Sequence, residues 1–174
     1  MGPTSKSESG VWVTQAGPDD DAIVGDLYLR SWRAGYEGLV DPGRLEPVAV
    51  ERAGYDWRSA LSDPTSSFGL GFVGSEPAGI AKIGPDPTES IRCTWLELLY
   101  VAPEFWGTDV ATALADWAVA QSAADGAPLI RLRVVDVQRR ARRFYEREGW
   151  QSDPDVPMSR NAWFDLLCLR KDLA

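Results

Sequence analysis

The sequence predicts a mixed α/β fold, a central mixed β-sheet flanked by helices within a single domain. Three observations predict it. Apolar strand-like runs alternate with stretches of helical length along most of the chain. An alanine-rich segment, residues 108–124, joins the strand-like residues 93–101 to residues 129–134, and a crossover of that length makes the two strands parallel. Residues 68–73 and 78–83 instead flank Gly74-Ser75-Glu76-Pro77, a turn sequence that makes a hairpin.

The elements follow in order. Residues 11–14 read as a short first strand. Gly17-Pro18-Asp19 is a turn, and the acidic residues 19–21 suit the start of a helix over 22–36. A loop at 39–43 precedes a second helix within 46–61, with Val50, Tyr55 and Trp57 inward; Gly54 weakens it. After the hairpin, Gly84-Pro85-Asp86-Pro87 is a loop, and Pro103 stops the strand 93–101. Asp125-Gly126 ends the alanine-rich helix. A basic helix over 138–148 is closed by Gly149, with Phe144, Val137 and Ala141 on its core face. Residues 163–169 are the last strand.

Composition bounds the function. With 174 residues the chain can bury a real core, and we expect the domain to span 10–174 after a disordered tail at 1–9. No apolar run approaches the ~20 residues that span a bilayer. The N-terminus lacks the apolar core of a signal peptide, so a cytoplasmic location is expected. Cys93 and Cys168 lie in apolar strands and read as buried reduced thiols. There is no histidine, which removes Ser-His-Asp and Cys-His nucleophiles and His-based zinc sites; no metal site is predicted. The net charge of −8 argues against general nucleic-acid binding. Seven arginines against two acidic residues over 131–147 leave one basic helix suited to a compact anion.

The segment from Trp95 to Trp117 carries the chemistry. An apolar strand runs through Pro103-Glu104-Phe105-Trp106-Gly107-Thr108 into a helix. A short loop at a helix start offers unpaired backbone N–H groups and the positive end of the helix dipole, which together bind phosphate. Asp109 places a carboxylate at that spot. Either it caps the helix with its side chain turned away, or it occupies the anion site and excludes a phosphate ligand.

The element order and three motifs resemble the GNAT acetyltransferase superfamily over nearly the whole chain, and small-molecule bacterial members in particular. Leu99-Tyr100-Val101-Ala102-Pro103 is similar to the family's central strand and following proline. Trp106-Gly107-Thr108-Asp109-Val110-Ala111 stands where the family has Arg/Gln-Gly-x-Gly-x-Gly/Ala. Gln138, Ala141, Phe144, Tyr145, Gly149 and Trp150 resemble its Asn-x-x-Ala-x-x-Phe-Tyr-x-x-x-Gly-Phe signature. Residues 31–39, SWRAGYEGL, resemble the substrate-side helix and loop of many bacterial members.

The resemblance implies acyl transfer, with acetyl-CoA as donor, to a small-molecule amine. It implies that Gly107, Thr108, Asp109, Val110 and Ala111 hold the pyrophosphate, that Trp106 packs on the donor, and that the backbone of Leu99 and Val101 bonds the pantetheine arm. It gives Tyr145 the role of proton donor to the departing thiolate; read alone, Tyr145 is a core-edge tyrosine. Gln138 falls in the donor-binding signature, and Arg142 or Arg143 would contact the nucleotide 3′-phosphate. Glu97, mid-strand, is either a general base or an ion-pair partner of Arg92 or Arg131. Trp32 and Tyr36 would line the acceptor pocket, with Glu37 and Asp41 suiting a cationic amine. Two rival readings remain at this point: a GNAT-fold enzyme that does not use CoA, with an aminoacyl-tRNA donor or other small-molecule chemistry, or a non-catalytic binding module. The family also makes a homodimer through C-terminal strands an expectation.

Overall fold

The computed structural model describes residues 10–86 and 93–173. In chain order its elements are β1 (Val11–Gln15), α1 (Asp21–Tyr36), α2 (Pro42–Ala53), α3 (Trp57–Leu61), β2 (Ser67–Val73), β3 (Glu76–Pro85), β4 (Thr94–Val101), α4 (Val110–Ala124), β5 (Leu129–Val135), α5 (Arg139–Arg147), β6 (Gln151–Ser152), β7 (Ser159–Arg160) and β8 (Asp165–Asp172). The strands form one mixed sheet in the order β1-β2-β3-β4-β5-β8-β6, with β7 also on β8. β1 runs antiparallel to β2, β5 antiparallel to β8, and β4 parallel to β5. The α4 crossover accounts for that parallel pair.

The chain divides into two compact units. The first comprises Met1–Lys82 and Leu98–Ala118, the second Ile83–Glu97 and Val119–Ala174. In the first, alternation along β2 sends Phe68 and Leu70 to one face and Gly69 and Gly71 to the other. Trp57 meets the ring of Phe68 edge-on, with Tyr28 of α1 behind it at 4.9 Å. On the opposite face the glycines admit α4: a Cβ on Gly69 would meet Trp117 at 2.6 Å and one on Gly71 would meet Leu114 at 3.3 Å. Gly79 is the tightest point, because its Cβ would lie 2.7 Å from the Tyr100 carbonyl oxygen and 3.0 Å from Leu114. Backbone cannot swing aside as a side chain can. We therefore expect Gly79→Ala to cost about 1–3 kcal/mol in denaturant unfolding; an unchanged midpoint would contradict this packing.

The region expected to hold one helix within 46–61 holds two. Gly54 ends α2, and the Asp56 carboxylate accepts the Ser59 amide at 2.9 Å to start α3. Pro42 opens α2, and Asp41 before it accepts the Gly43 amide at 2.9 Å, so Asp41 serves as a cap. The tail expected at 1–9 and the partner Arg92 considered for Glu97 lie outside the described residues.

The second unit centres on β5. Its Arg131 is only 3% exposed. Nε of Arg131 donates to Asp153 at 2.7 Å, and Nη1 lies 3.7 Å from Asp86. Asp153 also accepts the Asp155 amide at 3.0 Å. Burial alone would push the Asp153 carboxyl up, but the Arg131 bond, the Asp155 amide and the charges of Arg131 and Arg170 outweigh it and hold it below the usual range. Both cysteines are buried free thiols, as expected. Burial pushes each up to about 11, helped at Cys93 by its hydrogen bond to Asp86.

Candidate functional site

The first unit contains the loop the sequence singles out. β4 ends at Val101, and a turn of tight helix, Pro103–Phe105, leads to Trp106. Gly107 takes φ +83, a left-handed conformation that suits glycine and lets the chain reverse into α4. The Asp109 carbonyl accepts the Ala113 amide at 2.9 Å, which makes Asp109 the helix N-cap by its backbone. The Thr108 hydroxyl donates to the Phe105 carbonyl at 2.7 Å and stands 3.5 Å from the Val110 amide. Among the described residues, no hydrogen bond uses the amides of Gly107, Asp109 or Ala111. The Asp109 side chain is exposed and engages no described partner. These amides lie at the positive end of the α4 dipole, and the Asp109 carboxylate is exposed to water.

Two further features of the loop differ from a bare phosphate cradle. Trp106 is 38% exposed, and its indole N–H donates to the Val101 carbonyl at 2.8 Å. That bond takes one of the two lone pairs on a backbone oxygen expected to serve the pantetheine arm. The parallel ladder between β4 and β5 covers Thr94–Leu96 against Ile130–Leu132. The backbones of Leu99 and Val101 therefore take no part in it.

In the second unit, Glu97 is exposed on β4, so the burial expected of a mid-strand carboxylate does not occur. The alternative partner Arg131 is engaged by Asp153 and Asp86. On α5 the buried ring is Tyr145, at 8% exposure, while Phe144 is half-buried and Val137 exposed. The buried ring of the helix is thus Tyr145 rather than Phe144, and Val137 lies in solvent. The Tyr145 ring stacks edge-on with Trp150 at 5.8 Å. Burial pushes its phenol well above the ordinary tyrosine range, which keeps it protonated at every working pH. Gln138 stands at the N-cap of α5. Nη1 of Arg142 donates to the Asp136 carbonyl at 3.0 Å, whereas Arg143 is exposed to solvent. Of the two arginines considered for a phosphate, Arg143 therefore has its head group in solvent.

On α1, Trp32 is 1% and Tyr36 9% exposed, with ring centroids 5.3 Å apart. The Arg52 guanidinium covers Trp32 at 4.8 Å from the ring and donates from Nη1 to the Tyr28 hydroxyl. Tyr28 in turn meets Tyr100 of β4 edge-on at 5.3 Å. α1 also reaches the Pro103–Phe105 turn through the ion pair of Arg30 with Glu104. Nothing local in the sequence marks Arg52: it lies at a helical position with ordinary charged neighbours, and only the fold brings it over the rings.

The family model described as the Acetyltransferase (GNAT) family matches residues 26–150. The fold is similar to that of the PaiA N-acetyltransferase of Thermoplasma acidophilum in complex with coenzyme A, at TM-score 0.77 and 16% identity, covering 93% of this chain and 98% of that one. It is also similar to a GCN5-related N-acetyltransferase from Rhodopseudomonas palustris, at TM-score 0.74 and 20% identity over 99% and 100%. A GNAT-family acetyltransferase from Listeria monocytogenes matches at TM-score 0.69 and 17% identity over 98% and 100%. No curated protein matches the chain in sequence.

Proposed function

The chain belongs to the acetyltransferase (GNAT) family, and we propose that it transfers an acetyl group from acetyl-CoA directly to the nitrogen of a small-molecule amine. The observation that carries this reading is the set of uncommitted amides at Gly107, Asp109 and Ala111 on the N-terminal end of α4. Those donors and the helix dipole would hold the pyrophosphate. Trp106, Thr108 and Val110 shape the loop around them. The backbone of Leu99 and Val101 would bond the pantetheine arm, with the Val101 oxygen sharing its second lone pair. Gln138 and Arg143 would serve the nucleotide end, Arg143 through the 3′-phosphate.

Amide formation from a thioester needs a neutral amine held close and an acid for the leaving sulfur. Tyr145 would supply that proton. Its raised pKa guarantees the protonated form, at the cost of a weaker acid. Glu97, open to water, would accept the ammonium proton through a bridging solvent molecule. Trp32 and Tyr36 would form the aromatic wall beneath the acceptor. Absence of histidine is no obstacle to this chemistry.

Asp109 weakens the donor site without closing it. Its exposure puts the repulsion near the aqueous limit, about 1 kcal/mol for unit charges ~4 Å apart. Asp109→Gly should tighten acetyl-CoA binding about fivefold. A change of a thousandfold would mean that the carboxylate sits inside the anion site. The reading itself is tested by thiol release from acetyl-CoA across a panel of amines. Amine-dependent release is the expected result, and no release with any amine would contradict it.

A further inference from the structure

In the first unit a cavity of about 400 Å³ opens between α1 and the corner where α2 passes into α3. That volume suits a small organic ligand. Its charged lining comprises Asp21, Asp26, Arg52, Asp56 and Arg58, with Trp57 as an aromatic wall. Four of those five charges are already answered. Asp21 pairs with Arg58 at 3.3 Å and Asp26 with Arg30 at 2.9 Å. Asp56 accepts the Ser59 amide at 2.9 Å.

Arg52 differs. Among the described residues no carboxylate lies within ion-pair distance of it. Its Nη1 is used by the Tyr28 hydroxyl, and its Nε is buried with no acceptor. A guanidinium is the side chain best shaped to grip a carboxylate, and this one is held in place by two rings with no counter-charge. The five charges of the lining sum to −1, which disfavours a bare anion and favours one that also carries an ammonium.

We propose that Arg52 binds the carboxylate of the acceptor, so that the amine substrate is an α-amino acid or a close relative. This rests on the acyltransferase reading above. Arg52 lies over Trp32, the residue expected to wall the acceptor pocket, and reaches β4 through Tyr28 and Tyr100.

The test is calorimetric titration of the full chain with the twenty common α-amino acids and with their α-carboxamides. At least one amino acid should bind, with its carboxamide about 30-fold weaker. Arg52→Gln should abolish that preference. Arg52→Lys keeps the charge and the ring contacts, so it should fold and retain a reduced preference; it carries the test if the glutamine variant fails to fold. Binding of no amino acid, equal binding of the carboxamides, or an unchanged preference in both variants would overturn the proposal. The two readings separate cleanly. A chain that acetylates amines without regard to a carboxylate keeps the function and loses this inference. A chain that binds an amino acid through Arg52 but never acetyl-CoA loses the function and leaves the cavity as a carboxylate site.

Discussion

Arg131→Ala should destabilise the protein by about 3–5 kcal/mol in denaturant unfolding, because it strands two carboxylates in the interior. Asp153 and Asp86 are 5% and 7% exposed, and both face the Arg131 guanidinium. Coulomb attraction across the pair is largely offset by the desolvation of both ions. The loss on removing one partner is not offset, since the remaining charge has no water to return to. In thermal unfolding that is roughly 10 °C for a chain of this length. The same network gives a pH dependence of known sign. The folded Asp153 carboxyl lies below its ordinary value, so its contribution is present in full above the usual carboxylate range. It is lost as pH falls below about 4 and approaches the folded pKa. Native protein should therefore lose stability on acidification in this window more steeply than Arg131→Ala does. A variant within 1 kcal/mol of native, with the same acid profile, would contradict the assignment.

Tyr145→Phe should lower acetyl transfer about a hundredfold while leaving acetyl-CoA affinity within twofold. The hydroxyl is the one atom removed, and the ring keeps its packing against Trp150 and Phe144. A structural tyrosine would give the opposite pattern, with turnover preserved per folded molecule and stability reduced. The split between turnover and donor affinity is therefore the readout. Equal turnover in the variant would take Tyr145 out of the mechanism.

Most of the fold was legible because each strand or helix carries its own local signal. The hairpin at Gly74, the stop at Pro103 and the crossover through α4 all rest on residues within a few positions of one another. The division of α2 from α3 was legible in principle, from Asp56 as a cap three residues before the Ser59 amide it bonds. The buried network was not. Arg131 is separated from Asp153 by 22 positions in sequence, and nothing local marks either as interior. Alternation places a side chain on a face but does not say what covers the face, so Asp153 and Asp86 could not be read as the partners of Arg131. On α5, helical spacing places Phe144 on the core face, whereas the ring the helix buries is Tyr145. Asp109 stands out in the sequence as the discordant residue of the loop, but its exposure is a property of the folded chain. Arg52 could not have been found by pattern at all, since its lack of a counter-charge is a property of the assembled helices.

Titration of the native chain with acetyl-CoA in a calorimeter tests whether the loop from Gly107 to Ala111 binds the donor of an acyl transfer. One site of micromolar affinity is expected, tightening about fivefold in Asp109→Gly. No binding by either the native chain or Asp109→Gly would contradict it and would move the function to a different donor.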